Sequence, residues 1–522
     1  MDIYYNGKIY KNDGSHLADT ALAVMDGRIA AVGTDDEILA LDCGHGERVD
    51  LDGKLVMPGF VDSHMNLLEY AFEKSFIDLS GARSLEEMLS MLKASLAGAS
   101  SGRGFLLGTG FNQNYWKDPV MPSRTDLDSV SQDVPVAAHR TCHHVTVCNT
   151  PALRFCGLEK SHPDGILRED DQYILEASLP PLTSREVKDL IAGALPCALS
   201  KGITEIHTDD LTLIQSELYG ETIINAYTEL DREGRLPVRI YEQCNLPSAE
   251  RLKAFLGAGF MTGMSTGNFT IGPLKLLGDG ALGAGTAALT EPYAGDPGNR
   301  GILNFSDEEL SELVSLANRA GMQIAIHGIG DRCIDQILDA YEKALREFPR
   351  NDHRNGIVHC QITRPDQLER MKALGVMAYI QPVFLKADRH IAEARVGKEL
   401  ASTSYDWQKM LDMGIRLSGG SDCPVEPFDV MPNMYYAIKR KAPGEADGWF
   451  PEKGLSFDEA VRLFTSDGAY ASFSGNRRGR LLPGFDADFC VIDRDITSLP
   501  PEALNEAQVL MTAVGGSVVY TG

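Results

Sequence analysis

Apolar residues in this chain fall into short runs, and several of the runs stop on the same few kinds of side chain. Residues 56–63 end on His64, 269–274 on Lys275 and 322–326 on His327. Residues 356–358 end on His359, and 415–421 are followed by Asp422. Runs of this length, bounded by Gly, Pro or polar residues, predict buried strands. Similar runs elsewhere bring the expected number to eight, at about 57–63, 203–208, 237–243, 270–276, 322–327, 356–359, 375–380 and 415–419. Helical spacing lies between them, most clearly over 307–320, 333–347 and 365–374. Strands alternating with helices predict an α/β fold whose parallel strands close into a barrel.

The two ends of the chain read differently. Ile3-Tyr4-Tyr5, residues 21–25 and residues 28–33 form short strand-like runs, and Asp26-Gly27 between the last two is a hairpin signal. Residues 488–493, 509–514 and 515–520 repeat that character, so both termini are expected to build one small β domain. The stretch between the first and second barrel strands far exceeds an ordinary βα loop and predicts an insertion at about 75–195 covering the active face. It carries polar and aromatic groups at 110–116 and 140–144, from which Gln113, Trp116 and Arg140 are candidate substrate contacts. Turn residues and ordinary packing account for each of them equally well.

Barrel geometry gives the run-ending residues their meaning. Parallel strands bring their C-terminal ends to one face, where loops from several strands surround a shared pocket. Imidazoles and a carboxylate are suitable zinc ligands, and a divalent ion lets hydrolysis proceed at neutral pH. One histidine at a strand end is more often a hydrogen-bonded rim or core residue, but five such positions together point to one site. His207 closes the second strand and is read as a substrate contact at the rim.

Composition removes several alternatives. A chain of 522 residues accommodates one large barrel with an accessory domain and an insertion. Asp and Glu outnumber Lys and Arg by 74 to 49, a formal charge of -25 that disfavours nucleic-acid backbones and anionic membranes as partners. The ten cysteines show no paired CxxC spacing and read as reduced thiols. With no basic-then-apolar start and no apolar run of membrane-spanning length, the expected location is cytoplasmic. No GxxxxGK[ST] run occurs, and the glycines of 278–285 lack the dinucleotide-binding spacing.

In combination, these motifs resemble the amidohydrolase superfamily, and within it the YtcJ-like branch that includes N-substituted formamide deformylases. The resemblance covers almost the whole chain. It rests on Pro58-Gly59-Phe60-Val61-Asp62-Ser63-His64, on 275–283, on His327-Gly328-Ile329-Gly330-Asp331 and on Val358-His359-Cys360-Gln361. It continues through Gly419-Gly420-Ser421-Asp422-Cys423-Pro424-Val425 and 483–489. The resemblance implies a (β/α)8 TIM barrel over 56–475 and a β-sandwich built from 1–55 and 476–522. It implies a divalent metal, zinc first, as one or two ions at the C-terminal rim. His64 would ligate from the first strand, and His327 and His359 from the fifth and sixth. Asp422 would contact metal and accept the proton of the attacking water, and Lys275 matches the family lysine that can become carboxylated and bridge two ions.

The family's second histidine, two residues after the first, is replaced here by Asn66. A neutral amide oxygen is a poorer zinc partner than imidazole, so a site using His64, Asn66 and Asp422 should hold metal less tightly. His144, between Arg140 and Asn149, fits the branch histidine that polarises the substrate carbonyl. Asp279 is read as a substrate contact, or as the acid that pairs with Lys275. The expected function is metal-dependent hydrolysis of an amide-type carbon-nitrogen bond in a small molecule, by a chain whose base-rate assembly is a homodimer. The rivals are an esterase, another hydrolase or a decarboxylase on the same barrel, and a binding protein that lost a metal histidine.

Overall fold

Eight parallel strands run in sequence order through one sheet of the computed structural model: β1 (Phe60–Met65), β2 (Ile203–Thr208), β3 (Arg239–Asn245), β4 (Phe269–Leu277), β5 (Ile324–Gly328), β6 (Gly356–His359), β7 (Met377–Ile380) and β8 (Leu417–Gly419). The structure describes residues 1–15, 18–42, 44–96, 104–141, 145–168, 171, 174–175, 178–213 and 217–522. Every residue of β1, β2, β6, β7 and β8 is buried, and β6 and β7 accordingly read as near-continuous apolar runs. Three bonds draw the sheet's two ends into a TIM-like barrel. Asp422 N donates to His64 O at 2.7 Å, Asn66 N to Cys423 O at 2.7 Å, and Ser421 N to Asp62 Oδ1 at 3.0 Å.

The helices between strands follow their sequence signals closely. α1 (Asp307–Arg319) starts at a Ser306–Glu309 capping box, α2 (Asp331–Glu347) follows β5, and α3 (Pro365–Leu374) has proline in its first turn. α3 ends on Gly375 at φ 68°, the left-handed position that favours glycine.

The first apolar run divides where a single strand was expected. Leu55–Pro58 leaves the barrel and pairs with Lys8–Ile9 and Phe489–Ile492, while β1 begins after Gly59. A Cβ at Gly59 would lie 2.3 Å from both Oγ1 and Cγ2 of Thr204, so the break requires glycine for close approach. Gly59→Ala should destabilise the fold by about 1–3 kcal/mol through overpacking. Thermal melting would show the loss, and Thr204→Ala in the same chain should recover part of it.

The terminal segments form two sheets. One has four strands in the order Arg28–Gly33, Ala21–Met25, Asp2–Tyr5, Arg48–Asp50, and the other holds Lys8–Ile9, Leu55–Pro58, Phe489–Ile492, Val509–Val514 and Ser517–Thr521. Tyr4, Leu22 and Val24 of the first share an apolar core with Val56, Phe489 and Val491 of the second. Asp26 and Gly27 both take positive φ, 52° and 76°, as a tight hairpin demands.

By contacts, Met1–Leu67 with Ala192–Gly522 is one unit and Leu68–Ile191 another. The second unit has its own five-stranded sheet, in the order Ile166–Arg168, Val145–Cys148, Val136–Arg140, Leu106–Phe111, Ile77–Asp78, and a core around Leu79, Met88, Leu92 and Phe111. Among the described residues, no helix is long and apolar enough to cross a membrane, and no disulfide joins the described cysteines.

Candidate metal centre

Two histidines and one carboxylate converge at the C-terminal ends of the barrel strands. His64 of β1, His359 of β6 and Asp422, three residues past β8, present ligand atoms that all lie within 4.8 Å of one another. They are the only such His, Cys, Asp or Glu grouping among the described residues. His64 Nε2 is 3.3 Å from Asp422 Oδ1, and the His64 and His359 ring centroids are 5.5 Å apart. All three side chains belong to buried residues.

The backbone is bent to bring them there. His359, Cys360 and Asp422 take left-handed φ values of 70°, 50° and 60°. Such positions cost about 1 kcal/mol or more each for a non-glycine residue and are found where function needs a particular side-chain aim. Hydrogen bonds pin them, Cys360 N to Gly328 O at 3.1 Å and Asp422 N to His64 O at 2.7 Å.

Each imidazole is held from behind by a glutamine. His64 Nδ1 is 2.8 Å from Gln243 Oε1 of β3, and His359 Nδ1 is 2.8 Å from Gln381 Oε1, just past β7. Phe384 stacks beside His359 at 5.9 Å between ring centroids. Burial, and then the positive charge of Lys275, push the His64 pKa down; burial and neighbouring His327 push that of His359 well down. Burial alone would raise the Asp422 carboxyl, yet His64, His359 and Lys275 hold it at about 2. A proton shared from His64 would serve Asp422 but conflicts with the depressed imidazole. We take His64 as neutral, because a fully buried ring beside Lys275 resists a second charge, and Asp422 as anionic.

The other rim residues have different partners. Lys275 Nζ donates to Asp209 Oδ2 at 3.2 Å and faces His64 Nε2 at 3.5 Å, so the expected pairing with Asp279 is corrected to Asp209. Asp279 is engaged elsewhere: Ala288 N and Gly330 N donate to its Oδ2, both at 2.8 Å, and Ile329 N donates to its Oδ1 at 3.0 Å. With His327 also 3.3 Å away, Asp279 ties two loops together and offers a substrate little. His327 lies outside the three-residue grouping, its Nε2 3.1 Å from Gly280 O, although its ring is 4.5 Å from that of His359. Asn66 Nδ2 donates to Asp422 Oδ1 at 3.4 Å.

His207 is fully buried, and its Nε2 lies 3.1 Å from Oε1 of Glu205, two residues earlier on the same face of the strand. Trp116 likewise lies in the core of the Leu68–Ile191 unit, its indole N–H donated to Ala82 O at 3.1 Å. In that same unit Arg140 Nε donates to Gln113 Oε1 at 3.0 Å, and a cavity of about 590 Å³ is lined by Phe72, Phe76, Phe105, Leu107 and Leu190. The metal-ligand chemistry, by contrast, is in the barrel. His144 falls outside the described residues.

Residue type concealed Gln243 and Gln381, since amides are not metal ligands. Position did not, because both lie within two residues of the end of a barrel strand, as the histidines do. Asp62, two residues before His64, is a further buried carboxyl of β1. Its Oδ1 accepts from His64 N at 3.2 Å and from Ser421 N, and burial raises its pKa to about 7.

Comparison with known proteins agrees with this architecture. The profile of the amidohydrolase family matches residues 47–520. The putative amidohydrolase YtcJ of Bacillus subtilis (strain 168) is 28% identical over 538 residues, covering 99% of both chains. The N-substituted formamide deformylase of Arthrobacter pascens is 26% identical over 543 residues, covering 99% of this chain and 97% of that protein. Among solved structures, an uncharacterized metal-dependent hydrolase from Pyrococcus furiosus superposes with a TM-score of 0.80 at 31% identity, covering 95% of this chain and 99% of that one.

Proposed function

This chain belongs to the amidohydrolase family, and on that premise we propose that it is a metal-dependent hydrolase cleaving an amide-type carbon-nitrogen bond of a small molecule. The observation that carries the reading is the meeting of His64, His359 and Asp422 within 4.8 Å at the ends of three strands. Two neutral imidazoles and one carboxylate suit zinc, and three protein ligands are the number that leaves a position open for chemistry. When bound, a divalent ion supplies acidification of water and polarisation of a carbonyl oxygen.

The chain's own residues supply the rest. Asp422, anionic and facing His64 and Asn66 through Oδ1, is the group to take a proton from water and return it to the departing nitrogen. Asn66 steadies that carboxylate with its amide N–H. Lys275 in its present pairing balances Asp209; a carbamate there would be anionic and would have to displace it. This favours one ion over two. The two terminal sheets with their shared core are read as the expected β-sandwich.

The test is elemental analysis of protein purified without chelator, with turnover of N-formyl and N-acyl amines measured alongside. The relative named N-substituted formamide deformylase motivates the formyl compounds. About one equivalent of zinc or a similar ion per chain is expected, with turnover lost on chelation and restored by the ion. No bound metal after reconstitution, and no turnover, would overturn the proposal.

A further inference from the structure

We propose that Gln243 and Gln381 are positioning residues that lock His64 and His359 in a single tautomer, Nδ1–H with a bare Nε2, so that both lone pairs face the centre. An amide oxygen can only accept, so its 2.8 Å contact with each Nδ1 requires that nitrogen to carry the hydrogen. Neither amide is free to turn. Gln243 Nε2 donates to Ser63 O at 3.0 Å, and Gln381 Nε2 to Tyr379 O at 3.3 Å. A flip would set the amide carbonyl against a backbone carbonyl in both places. Both glutamines are buried, at 0% and 3% exposure, leaving no water to compensate the lost bond.

A neutral imidazole has one N–H, so fixing it on Nδ1 leaves Nε2 as an acceptor. Lys275 Nζ, which only donates, faces that same nitrogen of His64 at the limit of hydrogen-bond distance, 3.5 Å. Across from it, Asp422 Oδ1 stands 3.3 Å away. Two acceptors so close repel one another unless a cation lies between them. The glutamines thus convert what would be a proton-sharing cluster into a set of lone pairs awaiting a positive ion. The device occurs twice, from β3 and from just past β7, on the two histidines of the grouping. A carboxylate would orient the rings equally well but add a negative charge; an amide keeps the support neutral.

The purpose of the lock rests on the metal reading above, whereas the tautomers do not, and the experiment separates them. Metal-free protein carrying ¹⁵N-labelled histidine at pH 8 would be studied by two-bond nitrogen-proton correlation, with His64→Gln and His359→Gln identifying the two rings. Both rings should be Nδ1–H. Gln243→Leu and Gln381→Leu should each convert their own ring to a mixture and weaken zinc binding, read by chelator competition, by about 10- to 100-fold. Gln243→Glu and Gln381→Glu, which keep the acceptor, should restore the Nδ1–H ring and the binding.

Nε2–H rings in the wild-type protein that still binds zinc would overturn the glutamine assignment alone. Leu variants that keep both the wild-type spectrum and the wild-type zinc affinity would overturn it too. Wild-type protein with Nδ1–H rings that binds no zinc would overturn the metal reading instead. Should the Leu variants fail to fold, the wild-type spectrum still decides.

Discussion

Asp422→Asn should lower kcat by about 10²- to 10⁴-fold, the range expected when a general acid-base group is removed, with KM and the melting temperature near wild type. The substitution is close to isosteric. It keeps Oδ1 as an acceptor for the Asn66 amide, and the backbone bond from residue 422 to His64 O is untouched. Asparagine also tolerates the left-handed φ of 60° that Asp422 adopts. What it loses is the negative charge and the ability to take a proton. Rates should be compared at measured zinc occupancy, because the same change removes a charged ligand. Wild-type turnover in the Asn variant at full occupancy would remove Asp422 from the chemistry. Asp422→Ala is the useful contrast: it should lose both turnover and stability, since alanine resists that backbone conformation.

The barrel was legible because its strands are largely buried, so several of them, β5, β6 and β7 among them, appear in sequence as short apolar runs. The same rule marked His64, His359 and Asp422, which the fold does bring together. It could not say which rim residues face each other. Lys275 and Asp279 are four apart in sequence, yet the lysine's partner is Asp209, sixty-six residues earlier and two strands round the barrel. Inward side chains meet across the rim in that way, and only the closed sheet reveals it. Nor could the rule show that His207, which closes the second run, has Glu205 of its own strand as its partner. Gln243 and Gln381 went unread because attention to ligand types passes over the neutral groups that aim the ligands.

The Lys275–Asp209 pair should give the largest effect on stability. Its side chains are 2% and 4% exposed, and acidic groups gather round it: Asp210 is buried nearby, and Glu242 has its pKa raised by burial and then by Asp210 and Asp209. Lys275→Met would leave Asp209 buried without its cation, for a loss of about 3–5 kcal/mol, the range for breaking a buried pair from one side. Asp209→Leu with Lys275→Met should recover most of that loss, because two apolar groups replace two desolvated charges. Denaturant unfolding of the four forms in chelator would give the coupling free energy without any contribution from metal. A coupling below about 0.5 kcal/mol, no larger than the deviation from additivity of independent sites, would show that the contact at 3.2 Å does not hold the rim together. The double variant also separates the two roles available to Lys275. If the lysine serves as the partner of Asp209, the stabilised double variant should still take up zinc through His64, His359 and Asp422. Restored stability with zinc binding lost would instead make Lys275 part of the metal site itself.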